Sequence, residues 1–260
     1  PSAGGRALRL TRDGALDSHP AWSPDGRWIY FSSFRGGSSA LWRITPKGGS
    51  PERITLGTGP EGEPDLALDP ARIAYSTSLV NPDVVILDLK TGETARIQGL
   101  REECEPTFAP DGSRLVFSSD RSGSFDLWIQ PLAGGRPAGE PLRLTEQPGS
   151  ESVPAFSPDG RWIAYGRVLE EQRDIWVVSS AGGPPKRFTD HSAIDVQPAW
   201  SPDGARIVFV SSRDGGHHLW VSQASDGSPV GEPAQSPFGD WTARLPAWSP
   251  DGSSIAFLRD

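Results

Sequence analysis

The sequence has no methionine, one asparagine (Asn81), one cysteine (Cys104) and three lysines against 22 arginines. Each scarcity excludes something. A single cysteine rules out an internal disulfide and any dithiol chemistry. No apolar run approaches the roughly 20 residues that a bilayer-crossing helix requires, and no charged-then-apolar leader opens the chain, so no direct membrane insertion is expected. A formal charge of −8, a pI near 5.1 and the lack of any basic stripe count against nucleic acid. The sequence holds no Gly-x-Ser-x-Gly elbow, no His-Glu-x-x-His, no Cys-x-x-Cys and no Gly-Lys-Ser/Thr phosphate loop. Arginine in place of lysine suits a GC-rich genome better than heat adaptation. With Pro1 in first place and methionine absent, we expect a leader, an anchor or a neighbouring domain in a longer product.

What is present is repetition. Pro20-Ala21-Trp22-Ser23-Pro24-Asp25-Gly26, followed by the apolar run Trp28-Ile29-Tyr30-Phe31, returns in variant form at Pro64, Pro106, Pro154, Pro198 and Pro246. Each proline stands nine residues before the first Ile or Leu of its run, and successive copies lie 42 to 48 residues apart. That period is one four-stranded propeller blade. The large apolar residues Trp22, Leu66, Phe108, Phe156, Trp200 and Trp248 share one position and are expected to wedge between neighbouring blades. Ser-Pro-Asp-Gly reads as a tight hairpin, since Pro presets φ, Asp bonds nearby backbone and Gly accepts positive φ. The third strands are marked by Leu41-Trp42, Val84-Val85, Leu127-Trp128, Ile175-Trp176 and Leu219-Trp220.

Gly4-Gly5-Arg6-Ala7-Leu8-Arg9-Leu10-Thr11 aligns residue for residue with Gly48-Gly49-Ser50-Pro51-Glu52-Arg53-Ile54-Thr55, the turn and fourth strand of the first copy. The expectation is one all-β domain over 1–260, a six-bladed β-propeller of four-stranded antiparallel blades. Its blades run over about 20–55, 64–98, 106–145, 154–189, 198–235 and 246–260 plus 4–11. The N-terminal strand closes the ring, and blade six lacks one strand.

Chemistry-bearing residues cluster before the inner prolines. Three residues ahead of them stand Asp17, Glu61, Glu103, Glu151 and Asp195, with Ala243 the exception; immediately ahead stand His19, Glu63, Glu105, Val153, Gln197 and Leu245. As loops entering the innermost strands, they are expected to converge on one channel mouth as a carboxylate ring that receives a basic peptide or holds calcium through oxygen ligands. Solvated loop acids bonding nearby backbone are the alternative. The four histidines, His19, His191, His217 and His218, fall in loops of the same face and raise a second alternative, a metal or acid-base cluster. Arg35, Arg121 and Arg213 recur in equivalent loops and are expected to bridge to neighbouring blades, while Asp126 and Asp174 are expected to bond loop backbone.

The run Pro-Ala-Trp-Ser-Pro-Asp-Gly before an apolar strand resembles the TolB-like propeller repeats, and the likeness covers nearly all of the chain. In that family such propellers occur in the periplasmic Tol-Pal protein, where the mouth receives a partner's peptide segment. They also occur as extracytoplasmic sensor regions and as gates of serine peptidases. The fold does not choose among these roles; the carboxylate ring and the missing catalytic motifs lead us to expect a non-enzymatic, monomeric module that binds a protein or peptide outside the cytoplasm. The partner-binding set is Asp17, His19, Glu61, Glu63, Glu103, Glu105, Glu151, Asp195 and Gln197, with no catalytic residue, no resident metal and no cofactor. A metal-dependent propeller lyase or hydrolase, or a peptidase gate, is the competing expectation.

Overall fold

A computed structural model describes residues 7–56, 60–68, 72–77, 82–97, 99, 101–236 and 242–259, and all regular structure among them is β. Among the described residues no helix is long and apolar enough to cross a membrane. Among the described residues the chain forms five antiparallel sheets of four or more strands and then a two-stranded sheet. Blade one comprises Asp17–Trp22, Ile29–Ser33, Ala40–Ile44 and Glu52–Arg53, paired in that order. Blade two begins at Glu61–Leu66, blade four at Ser150–Phe156 and blade five at Asp195–Trp200. Blade three departs from four strands. Both Arg136–Pro137 and Leu142–Arg143 pair with its third strand, Asp126–Ala133, because a Gly134-Gly135 turn folds the strand back before the fourth begins. The last sheet contains Ala243–Trp248 and Ile255–Arg259.

The first strands of all six sheets are neighbours in chain order, and Ala243–Trp248 returns to lie beside Asp17–Trp22. Inner strands therefore ring a central axis. Proline is tolerated on such strands because only one edge is laddered, so its missing N–H costs little. One expectation needs correction here. The acids three residues before the prolines are not in entry loops but are the opening residues of the inner strands, with Asp17 opposite Ser33 and Glu103 opposite Ser119.

The Ser-Pro-Asp-Gly turns behave as their chemistry dictates. Asp25 accepts from the Ser23 hydroxyl at 2.6 Å, and the same hydroxyl oxygen accepts from Trp28 N–H at 2.9 Å. Gly204 and Gly252 are required twice over. Their φ values are 69° and 68°, and a Cβ on either would come within 3.3 Å of the proline in the preceding blade's turn, Pro158 or Pro202.

The core is divided into apolar clusters, each shared by two adjacent blades. Trp200 joins Ile175 and Phe188 of blade four to Ile207 and Phe209 of blade five, as the wedge reading requires. Phe108 and Phe156 do likewise at the two preceding seams. Second strands are covered on both faces, and all five residues of Ile29–Ser33 are buried. The last seam is different. Residues 7–11 carry no strand pairing, and residues 1–6 lie outside the described residues, so the expected closing ladder is not seen over 7–11. Leu10 nevertheless packs against the Ile29, Phe31 and Ile44 cluster of blade one, as do Trp22 and, from the last sheet, Ala256. Trp241, the one tryptophan off the repeat, also lies outside the described residues.

Removing a wedge contact should be felt globally. Phe209→Ala is expected to destabilise the protein by about 3–5 kcal/mol in chemical denaturation. Leu56→Ala, at a side chain 86% exposed, should change stability by less than about 0.5 kcal/mol.

Candidate functional site at the channel mouth

Every inner strand bends at the same residue. His19, Glu63, Glu105, Val153, Gln197 and Leu245, each immediately before the inner proline, have φ between 50° and 58°. A residue before proline is normally extended, and a side-chain-bearing residue in the left-handed region costs of order 1–3 kcal/mol. The ladder slips at each bend: Ser18 pairs with Ser32 but Ala21 with Tyr30, and the other five copies shift alike. These are β-bulges, which re-aim side chains. They set six half-buried residues on the innermost strands, around the axis.

Three of the bends are held by the blade before. The Glu63 carboxylate accepts the Glu105 N–H at 2.7 Å, Glu105 accepts the Val153 N–H at 2.6 Å, and the Gln197 side-chain oxygen accepts the Leu245 N–H at 2.8 Å. Ser76 and Ser118 hydroxyls also donate to Glu63 and Glu105. Asp65, one residue past the proline, accepts the Phe108 N–H at 2.8 Å. Negative charge thus gathers on the arc formed by blades two and three. Burial pushes the Asp65 carboxyl up to about 7, and burial with the nearby Glu63 charge does the same to Glu105. His19 lies 3.9 Å from Glu63; burial lowers its pKa and Glu63 partly offsets that. Cys104 sits in this arc, where burial and the acids drive its thiol far up, so it is no nucleophile.

The acids three residues ahead form a separate, buried tier. Glu103, Glu151 and Asp195 are completely buried, Glu61 is buried and Asp17 is half-buried. Partners differ by blade. In blades one, three and five a loop arginine from the same blade reaches back: Arg35 to Asp17 at 2.8 Å, Arg121 to Glu103, and Arg213 to Asp195 at 2.8 Å. Each guanidinium also lies over a Phe and a Trp, as Arg121 does over Phe117 and Trp128. In blades two and four the partner is the threonine two residues past the last strand of the preceding blade, Thr55 to Glu61 and Thr145 to Glu151. Burial raises Glu61 and takes Glu103 and Glu151 up to about 7.

The sequence expectation of one carboxylate ring at the mouth therefore divides. The mouth holds His19, Glu63, Glu105 and Gln197, joined by Asp65; Asp17, Glu61, Glu103, Glu151 and Asp195 are packed at blade seams. Arg35, Arg121 and Arg213 pair within their own blades rather than with neighbours. Asp126 and Asp174 take arginines, Arg143 at 2.9 Å and Arg187 at 2.8 Å, instead of loop backbone. A constant spacing carried this information: acid and arginine are 18 residues apart in all three odd blades. The histidines do not converge. His191 and His217 are exposed in loops, and His218 bonds Asp214 at 2.6 Å. Among the described residues no group of three or more His, Cys, Asp or Glu side chains is placed to hold a metal ion.

The repeats match the family model of the TolB β-propeller domain over residues 138–260. Over those residues the chain carries TolB-type propeller repeats. An uncharacterised Agrobacterium fabrum protein is 30% identical over 179 residues, covering 66% of this chain and 57% of that one. Tol-Pal system protein TolB of Francisella tularensis is 29% identical over 149 residues, 56% of this chain and 34% of that protein. The chain thus spans 57% and 34% of those relatives' lengths. Among solved structures, a TolB-type protein of Agrobacterium tumefaciens superposes with a TM-score of 0.75 at 24% identity, covering 96% of this chain and 92% of that one. An oligogalacturonate lyase in complex with manganese shares the fold, with a TM-score of 0.62 at 15% identity over 96% of this chain and 88% of that one.

Two outcomes follow from the geometry. Arg121→Ala leaves a completely buried carboxylate unpaired and should cost about 3–5 kcal/mol in a denaturant titration. Glu103, Glu105, Glu151 and Asp65 keep their protons to about pH 7 when folded, whereas unfolded carboxyls lose them near pH 4. The folded state then binds more protons between about pH 4.5 and 7, so its stability falls as pH rises through that window. His19, whose pKa burial lowers, opposes this as one group against four. The melting temperature should be higher at pH 5.5 than at pH 8, and Glu151→Gln should shrink the difference.

Proposed function

We propose that this TolB-like propeller is a non-enzymatic module that receives a cationic protein or peptide segment at its channel mouth, as an extracytoplasmic scaffold or sensor region of a longer bacterial protein. The observation that carries the reading is the one-sided mouth. Glu63, Asp65 and Glu105 crowd blades two and three, while Val153 and Leu245 present apolar side chains from blades four and six at the same ring position. Carboxylates held close in a half-buried setting attract cationic side chains and set the partner's orientation. The apolar positions give its aliphatic portions a surface to cover. Likeness to the Tol-Pal system protein TolB supports a protein partner and an extracytoplasmic setting. In the same reading the two-stranded sheet is a sixth blade and residues 1–260 are one domain, which the ring of six inner strands supports.

Gln197 shows how to test it. It occupies the bend position and accepts the next blade's N–H with no charge, so glutamine in place of Glu63 and Glu105 keeps the backbone held. The Glu63→Gln, Glu105→Gln double variant should keep the wild-type melting temperature at pH 8 or exceed it. It should also lose at least about tenfold in affinity for an arginine-rich decapeptide, measured by fluorescence anisotropy, with wild-type binding weakened by salt. Unchanged affinity would refute the acidic mouth. Displacement of the peptide by millimolar calcium would show that the arc takes the cation instead.

A further inference from the structure

The six bend residues do not present the same chemistry to the axis, and their hydrogen bonds fix what each presents. Glu63 and Glu105 each commit one carboxylate oxygen to holding the ring. The Oε2 of Glu63 accepts both the Glu105 N–H and the Ser76 hydroxyl, and the Oε2 of Glu105 accepts both the Val153 N–H and the Ser118 hydroxyl. Among the described residues the Oε1 of Glu105 takes no hydrogen bond, and the Oε1 of Glu63 has only His19, at 3.9 Å. The side of the mouth formed by blades two and three therefore offers acceptors.

Gln197 repeats the structural half of this pattern and reverses the rest. Its Oε1 accepts the Leu245 N–H at 2.8 Å, so the other arm of the same carboxamide is the NH2 group. An N–H is met only by an acceptor, and that bond therefore assigns oxygen and nitrogen in this side chain. Among the described residues the Gln197 amide nitrogen donates to nothing, and the side chain is half-buried. The inner strands follow one another round the ring in chain order, which sets Gln197 of blade five across the axis from Glu63 of blade two. On either side of Gln197 stand Val153 of blade four and Leu245 of blade six, whose side chains neither donate nor accept. Across from the acids, then, the bend side chains offer a single polar group, and it is a donor.

We propose that Gln197 is a specificity-determining residue of the mouth, donating its side-chain amide to a main-chain carbonyl of the bound segment while a basic side chain of that segment lies on the Glu63 and Glu105 oxygens across the axis. This rests on the reading of the mouth as a site for a cationic segment. An ammonium or guanidinium group alone satisfies the acidic side and leaves the amide unmet, whereas a peptide carries a carbonyl beside each basic side chain. A ligand without that acceptor covers a half-buried donor and leaves it unpaired, which is how one polar group discriminates between ligands of the same charge. The apolar side chains of Val153 and Leu245 flank the amide, and a hydrogen bond in such a setting is stronger than one in water.

The deciding variant is Gln197→Glu, studied in the whole protein at pH 8. Its carboxylate still accepts the Leu245 N–H, as Glu63 and Glu105 do for the bends after theirs, so the ring is held while the donor becomes an acceptor and one negative charge is added. Two probes separate these effects: the arginine-rich decapeptide, and spermine, a polycation with no carbonyl. Added charge alone makes the variant bind both more tightly. The expected result is spermine bound at least as tightly as by the wild type and the decapeptide bound about fivefold more weakly, the worth of one hydrogen bond. In the wild type the Gln197 side-chain amide resonance should shift on adding the decapeptide and stay in place on adding spermine. Tighter binding of both probes, or an amide resonance that the decapeptide does not move, overturns the role of Gln197 and leaves the acidic mouth standing. If the variant binds neither probe, the wild-type resonance decides. Wild-type protein that binds neither probe, or binds both unchanged after Glu63→Gln, Glu105→Gln, overturns the mouth reading and this inference with it.

Discussion

The ring rests on a backbone constraint repeated six times, a left-handed residue set immediately before a proline on each innermost strand. Proline removes the N–H and fixes φ, and the bulge beside it lets the strand pair through two more residues on the mouth side, Asp17 and Ser18 in blade one. The seam acid lies in that short ladder and the mouth residue is the bend itself, so both tiers of chemistry depend on the bend. Strain of this kind persists only where surroundings over-determine it. Here the surroundings are the neighbouring blade's side chains, and the mouth carboxylates are structural acceptors as well as charges.

Alternation between blades shows how buried charge is tolerated. A carboxylate buried at a seam needs a partner, and two devices meet the need. Odd blades send an arginine back from their own loop and stack it between two aromatic rings; even blades take a threonine hydroxyl from the blade before. The arginine device is internal to a blade, whereas the threonine device ties two blades together. The last sheet has Ala243 at this position and needs neither. Burial pushes several of these acids toward neutrality, so a protonated carboxyl that donates a hydrogen bond is an alternative resting state at the lower end of the physiological range.

Much of this was legible in the residues. The period, the hairpin turns, the wedge residues and the likeness of residues 4–11 to a fourth strand all came from pattern, because propeller repeats place each packing role at a fixed offset. The packing of Leu10 matches that of Ile54 even though no ladder forms over 7–11. The bends were not legible, since a residue before proline reads as extended and nothing in His19, Val153 or Leu245 favours positive φ. Nor was the burial of the seam acids. Glu103 and Glu151 look like solvated loop acids until their partners are known, and those partners are 18 residues downstream or six upstream. The gathering of negative charge on one arc depends on which copies carry acids at the bend, so it becomes visible only once the ring has been closed in space.

The last sheet is moored unevenly. Toward blade five it has the Leu245 N–H on Gln197, the Trp248 indole on Ala199 O at 3.2 Å, the Ala243 N–H on His217 O at 2.7 Å and the Arg206 guanidinium over the Trp248 ring. Toward blade one the described contacts are the apolar cluster around Leu10, Trp22 and Ala256 and the approach of Pro250 to Gly26. Among the described residues, directional bonds fix the sheet to blade five and apolar packing meets blade one. The bend at Leu245 is likewise held from blade five, while the acidic arc lies beyond blade one, so a segment laid across the mouth from Leu245 to Glu63 would touch both sides of this seam.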